Sequence, residues 1–207
     1  MAPHRAKLVG TEQLGQEAGD KGGPRPLKVR AFFGVPLPER HRAALADYLA
    51  DCERIGPDFR WTPADNLHLT VRFLGHVELA LAEGIAERVA ATNPGALDLR
   101  LGNPGSFKRG RLARVVWLGL AAGERELGEL ATIVEAECVR AGLEGESRPF
   151  HGHLTLARAR PRDGAALPSL PGPPDLEPWR ASELILYQSR LGRSGSVYEP
   201  LRRLSLS

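Results

Sequence analysis

Sulfur is nearly absent from the chain. Two cysteines, Cys52 and Cys138, occur in 207 residues, with no CxxC pair and no histidine beside either. That excludes a thiolate zinc site, and in a reducing compartment a disulfide does not persist, so buried free thiols are expected. No apolar run approaches the roughly 18–20 residues that cross a bilayer. Residues 1–30 also lack the apolar centre of a secretion signal. The expectation is a cytoplasmic protein with no membrane partner. Nor does one sign of charge dominate: 28 Lys and Arg stand against 25 Asp and Glu, for a net charge of +3. A dedicated nucleic-acid coat is excluded, but a phosphate-bearing partner is compatible with a pI near 9.1. Lysine is scarce, with 4 against 24 arginines. The guanidinium fork grips phosphate at two points, yet the arginines are spread along the whole chain, which reads first as GC-rich codon usage.

What is present is a soluble globular composition, 42% hydrophobic and 26% charged, long enough for one substantial core or two small lobes sharing one. Residues 1–26 carry Gly, Pro and scattered charge without a period, and a flexible tail is expected there. Order should begin at Leu27. VRAFFGVPLP reads as a strand and RHRAALADYLADCERIG as a helix stopped by Gly56-Pro57. A short extended piece, Phe59 to Thr62, leads to a strand at Leu67–Leu74. A second helix is expected at Leu79–Ala91 and a third at Glu124–Ala141. ALDLRLG and ARVVWLGL read as strands separated by the loop NPGSFKRGRL. A strand at His153–Ala157, a proline-rich connection from Pro161 to Pro178, and closing strands in ELILYQSRL and YEPLRRLSL complete the reading.

One motif is written twice. NLHLTVRFLG and FHGHLTLAR each place His-Leu-Thr inside an apolar strand, 85 residues apart, and each follows a strand–helix unit. The period is too long for a solenoid. Two copies predict a pair of similar α+β lobes within residues 27–207, related by an approximate two-fold axis, with the two motifs facing each other across the seam. Strand alternation puts His68, Thr70 and Arg72 on one face, and His151, His153 and Thr155 on one face of the second strand. Two imidazoles suit general acid–base work near neutral pH. Hydroxyls two residues on can donate to non-bridging phosphate oxygens or steady the rings. Such a set can open a phosphodiester whose attacking and leaving oxygens lie beside opposite histidines, without metal or cofactor. No Asp, Glu or Cys at ligand spacing joins either histidine, so no metal site is expected.

The pair HLTV and HLTL resembles the signature of the 2H phosphoesterases. More narrowly, RAFFGVPLPE, NLHLTVRFLG, GSF with VVWLGL, RPFHGHLTLAR and ELILYQSRLGRSGSVYEPL resemble the bacterial and archaeal RNA 2′,3′-cyclic phosphodiesterases, also called 2′-5′ RNA ligases, over about Val29 to Leu206. The resemblance implies an α+β fold of two pseudo-symmetric lobes, each a mainly antiparallel sheet with helices packed outside, and an active cleft between them. It implies a catalytic set of His68 as proton donor, His153 as proton acceptor, Thr70 and Thr155, with Arg158 on the cyclic phosphate. Strict alternation would turn Arg158 to the back of its strand, so the strand must end or twist first. Gly152 departs from a proline common in the family. The implied reaction opens an RNA 2′,3′-cyclic phosphate end to a 2′-phosphomonoester without cofactor, and runs backwards as an ATP-independent ligation. Nucleotides are implied as cleft ligands. Alternatives are a binding-only module for RNA ends, or the same chemistry on another cyclic phosphodiester or a 2′-5′-linked oligonucleotide. Secondary binding candidates are Phe33 or its neighbour Phe32 for base stacking, the basic loop Lys108, Arg109 and Arg111 for RNA phosphates, and His151 beside the cleft. A monomer is expected.

Overall fold

The computed structural model describes residues 26–192 and 195–207. The tail expected over residues 1–26 lies outside them, apart from Pro26. The elements run β1 (Lys28–Pro36), α1 (Glu39–Ile55), β2 (Phe59–Trp61), a 3-10 turn (Ala64–Asn66), β3 (His68–Glu78), α2 (Leu79–Ala91), β4 (Leu97–Arg109), β5 (Leu112–Ala122), α3 (Glu124–Arg140), β6 (Leu154–Ala159), β7 (Trp179–Ala181), β8 (Glu183–Gly192) and β9 (Gly195–Ser205). Every strand pairing is antiparallel. The order is β7-β4-β5-β6-β3-β1-β8-β9, with β2 added onto β6.

That order reads symmetrically about the β6–β3 seam. On one side lie β3, β1, β8 and β9; on the other lie β6, β5, β4 and β7. These are the two expected lobes, and each carries one copy of the motif on its innermost strand. They are interlaced, because β8 and β9 come last in the chain but complete the first lobe. A single core cluster runs through both and takes in the buried stripes of all three helices, such as Leu45, Leu49 and Cys52 of α1 and Leu127, Leu130 and Val134 of α3. Both cysteines are free and buried, and burial pushes the Cys138 thiol up to about 11. Neither is a ready nucleophile. No helix among the described residues is long and apolar enough to cross a membrane.

Two expectations change. NPGSFKRGRL is not a loop: β4 continues through Asn103-Pro104-Gly105 to Arg109 and turns directly into β5. Register shifts between Arg100 and Pro104 absorb the proline, which a regular ladder would reject. β7, hydrogen-bonded to the Leu97–Leu99 end of β4, is three residues long and too short to show a period.

Candidate active site

The seam between the lobes is one backbone pair, Leu69 with Leu154. Both leucines are fully buried, so their strand neighbours turn to the opposite, front face. Read one residue either way, the antiparallel register sets His68 opposite Thr155 and Thr70 opposite His153. The pseudo-two-fold axis passes through the leucine pair, and the two histidines with their threonines flank it.

Each imidazole is fixed in the same way. His68 Nδ1 lies 2.8 Å from the Asn66 carbonyl and His153 Nδ1 lies 2.8 Å from the His151 carbonyl. A carbonyl only accepts, so both rings carry their proton on Nδ1 and leave Nε2 as the working atom. The Thr70 hydroxyl donates to His68 Nε2 at 3.0 Å. Aromatic rings enclose each histidine: Phe32, Tyr187 and Tyr198 lie around His68, and Phe107 and Trp117 around His153. Gly34 makes room for the first ring, since a Cβ there would sit 3.1 Å from His68 Cδ2.

Burial pushes the His68 pKa down to about 4, and the charges of Arg158 and His153 add to the shift against the pull of the Asn66 carbonyl. His153 is also held below its usual value by burial, opposed by the His151 carbonyl and reinforced by His151 and Arg158. Both rings are therefore neutral at pH 7 in the empty site.

A bulge after each threonine sets the facing of the residues beyond it. The β5–β6 register skips Leu156, so Leu156 and Ala157 both face the core and Arg158 returns to the front with Thr155. The bulged Leu156 carbonyl is not orphaned; it accepts a hydrogen bond from Thr62 N–H at 2.8 Å. This reconciles Arg158 with the cleft. The β1–β3 register skips Val71 at the equivalent position. As a result Arg72 leaves the face of His68 and Thr70, contrary to strict alternation. It turns toward α3, where it pairs with Glu135 and with Glu146 at 2.6 Å. Phe73 takes the front position, a residue that alternation assigns to the back and so conceals.

His153, Thr155, Thr70 and Arg158 open together onto a cavity of about 670 Å³ that also holds His151 and Phe73. His151 is exposed and lies 3.2 Å from Glu124 through Nδ1. Phe33 is corrected: its ring is 0% exposed within the core cluster and has no open face for a base. Phe32 is the ring on the front side, but it is 1% exposed beneath His68. Lys108, Arg109 and Arg111 stand at the β4–β5 hairpin tip, all exposed, with Arg109 paired to Asp163 at 2.7 Å. Gly152 is buried, and a Cβ there would press on Leu120 and Leu127 at 3.1 and 3.2 Å. A smaller cavity of about 390 Å³ beside Tyr187 carries Arg42, Arg180 and Arg203, but each already has an acidic partner.

The fold is that of a known class. A profile of the 2′-5′ RNA ligase superfamily matches residues 36–193, and the chain belongs to that family. Among its relatives, the RNA 2′,3′-cyclic phosphodiesterase of Escherichia coli is 32% identical over 86% of this chain and 97% of its own. That of Aeropyrum pernix is 33% identical over 77% and 91%. The crystal structure of E. coli LigT complexed with 3′-AMP superposes with a TM-score of 0.76 at 30% identity, covering 87% of this chain and 99% of LigT. LigT complexed with NADP+ gives a TM-score of 0.74 at 30% identity over 89% and 99%.

Proposed function

We propose that this chain is an RNA 2′,3′-cyclic phosphodiesterase that opens the cyclic end to a 2′-phosphomonoester by two-histidine acid–base catalysis without a metal. The observation that carries the reading is the seam. One leucine pair sets two histidines, each held by a carbonyl at Nδ1 with Nε2 on the opposite side of the ring, on one face about a pseudo-two-fold axis, with Arg158 brought by a bulge to the cavity that His153, Thr155 and Thr70 line.

A cyclic phosphate seated there meets one ring on each side. His153, neutral at pH 7, takes a proton through Nε2 from the attacking water as its oxygen bonds to phosphorus. His68 gives a proton from Nε2 to the departing 3′-oxygen as the P–O3′ bond breaks. Its low pKa in the empty site makes this donor dependent on substrate: the phosphate anion, buried beside the ring, raises the pKa and loads the proton. Arg158 and the two threonines offset the charge growing on the non-bridging oxygens. Read backwards, the same proton transfers join a cyclic end to a 5′-hydroxyl, since the strained ring is the activated group. The hairpin tip follows Phe107 directly, and Lys108 and Arg111 there offer cations to phosphates further along the RNA. The relatives' names and the nucleotides bound to LigT support RNA ends and nucleotides as the ligands.

The test is a short RNA ending in a 2′,3′-cyclic phosphate, incubated with excess EDTA and followed by phosphorus NMR. A 2′-phosphomonoester is expected. Salt-dependent binding without turnover would instead make the protein a binding module, and a 3′-phosphate product would overturn the assignment of the leaving oxygen.

A further inference from the structure

Residues directly opposite each other on paired strands share a face, where unlike charges attract and like charges repel. Among the described residues three such pairs join two charged side chains. Lys28 with Glu78 and Asp98 with Arg180 are of opposite sign. Arg60 with Arg158 is the like-charged pair. Their neighbours Trp61 and Ala157 pair with each other and are buried, so both guanidinium groups take the other face, the one that carries Thr155.

β2 is not free to roll and relieve this contact. Phe59 and Trp61, on either side of Arg60, are both buried. The Trp61 Nε1–H donates to the Gly56 carbonyl at 3.0 Å, and the Arg160 backbone N–H donates to the Asp58 carbonyl at 2.8 Å. Neither Arg60 nor Arg158 has an ion-pair partner among the described residues, although Asp58 and Asp65 flank β2 in the chain. Burial holds the Arg158 guanidinium below its usual value, opposed by Tyr198 and reinforced by the charges of Arg60 and Arg30. The fold thus keeps an unfavourable contact at the edge of the cavity that Arg158 lines, and such exceptions gather at functional sites. Anions bound there turn the repulsion into attraction.

We infer that Arg60 is a second phosphate subsite, holding the phosphodiester that joins the terminal nucleotide to the rest of the RNA while Arg158 serves the cyclic phosphate. This subsite rests on the proposed reaction for its ligand and adds what the enzyme selects: a cyclic end carried on a strand over a free cyclic mononucleotide. A cyclic phosphate is a diester with a single negative charge, which Arg158 matches alone. The second guanidinium gains its counter-charge when the next phosphate of the strand arrives. An arginine fork takes two oxygens of a phosphate, and a backbone contact of this kind carries no base preference.

The experiment compares kcat/KM for a ribodinucleotide ending in a 2′,3′-cyclic phosphate with that for the nucleoside 2′,3′-cyclic phosphate of the same terminal base. In wild type the dinucleotide should lead by on the order of 10- to 100-fold. Its log kcat/KM should also fall more steeply with log salt, by about 0.7 in slope for the added phosphate. In Arg60→Gln, which removes the like charge and keeps the strand, the lead should drop to within about threefold and the extra slope should vanish. Arg60→Lys, which keeps the charge and loses the fork, should fall between the two. A wild-type lead below about threefold overturns the subsite. So does a lead that Arg60→Gln leaves intact, since equal loss on both substrates would assign Arg60 to the cyclic phosphate itself. Turnover of the mononucleotide reports on the reaction separately. If neither substrate is opened, calorimetric affinities of a ribodinucleotide ending in a 2′-phosphomonoester against the nucleoside 2′-monophosphate, in wild type and Arg60→Gln, decide the subsite by the same ratio.

Discussion

The two motif strands are alike up to the residue after the threonine and then diverge. His68-Leu69-Thr70-Val71 and His153-Leu154-Thr155-Leu156 share the buried leucine, the carbonyl-anchored imidazole and the skipped fourth residue. Beyond the bulge, β3 turns Arg72 back to α3 and shows Phe73, whereas β6 turns Ala157 back and shows Arg158. A duplicated scaffold thus supplies a matched pair of carbonyl-anchored imidazoles, and one position past each bulge supplies what is not matched: a ring on one side, a cation on the other. The symmetric part suits a reaction that runs in both directions.

If the matched part is truly equivalent, His68→Ala and His153→Ala should each lower kcat/KM on a nucleoside 2′,3′-cyclic phosphate by about 10²–10⁴-fold, to similar extents. Loss from one and not the other would break the comparison at its centre. On the unmatched side, Arg158→Gln should cost about 10²-fold in kcat, because a guanidinium aimed at developing charge is withdrawn while the strand is kept.

Burial sharpens the comparison at the third level. The folded protein holds His68 near 4, against about 6.5 for an unfolded histidine. The unfolded chain therefore binds the extra proton first. The stability this ring supports is fully present above about pH 6.5 and is lost as pH falls to about 4, by about 3 kcal/mol. Urea unfolding at pH 7 and pH 4.5 should show that loss in wild type and a flatter dependence in His68→Gln. The smallest effect belongs to the residue turned backward. Arg72→Met breaks a half-buried ion-pair cluster with Glu135 and Glu146 and should cost about 1–3 kcal/mol by the same method. The equivalent Ala157→Ser should cost less than that if the ion pairs, rather than the position, carry the difference.

The large elements were legible because their signals are periodic. α2 runs over Leu79–Ala91 as its apolar spacing predicts, and the division into two lobes, each with one motif strand, followed from the repeat. Bulges were not legible, since a period-two reading has no way to register a skipped residue. It therefore misplaces Arg72, hides Phe73 and leaves Arg158 in conflict with the family pattern. The same reading puts the adjacent rings Phe32 and Phe33 on opposite faces without saying which faces the core, and only the β1–β8 and β1–β3 pairings decide it. β4 runs on through Asn-Pro-Gly because register shifts, not residue types, let it do so.

The lone leucine pair at the seam also sets where the chain can change length. One residue gained or lost between the 3-10 turn and Thr70, or between Phe150 and Thr155, would rotate an imidazole into the oil of the interior. The hairpin tip at Gly110 can lengthen freely by comparison. Length variants in natural descendants of this gene should accumulate at that tip and at the proline-rich span 161–178, and be purged within a few positions of either histidine.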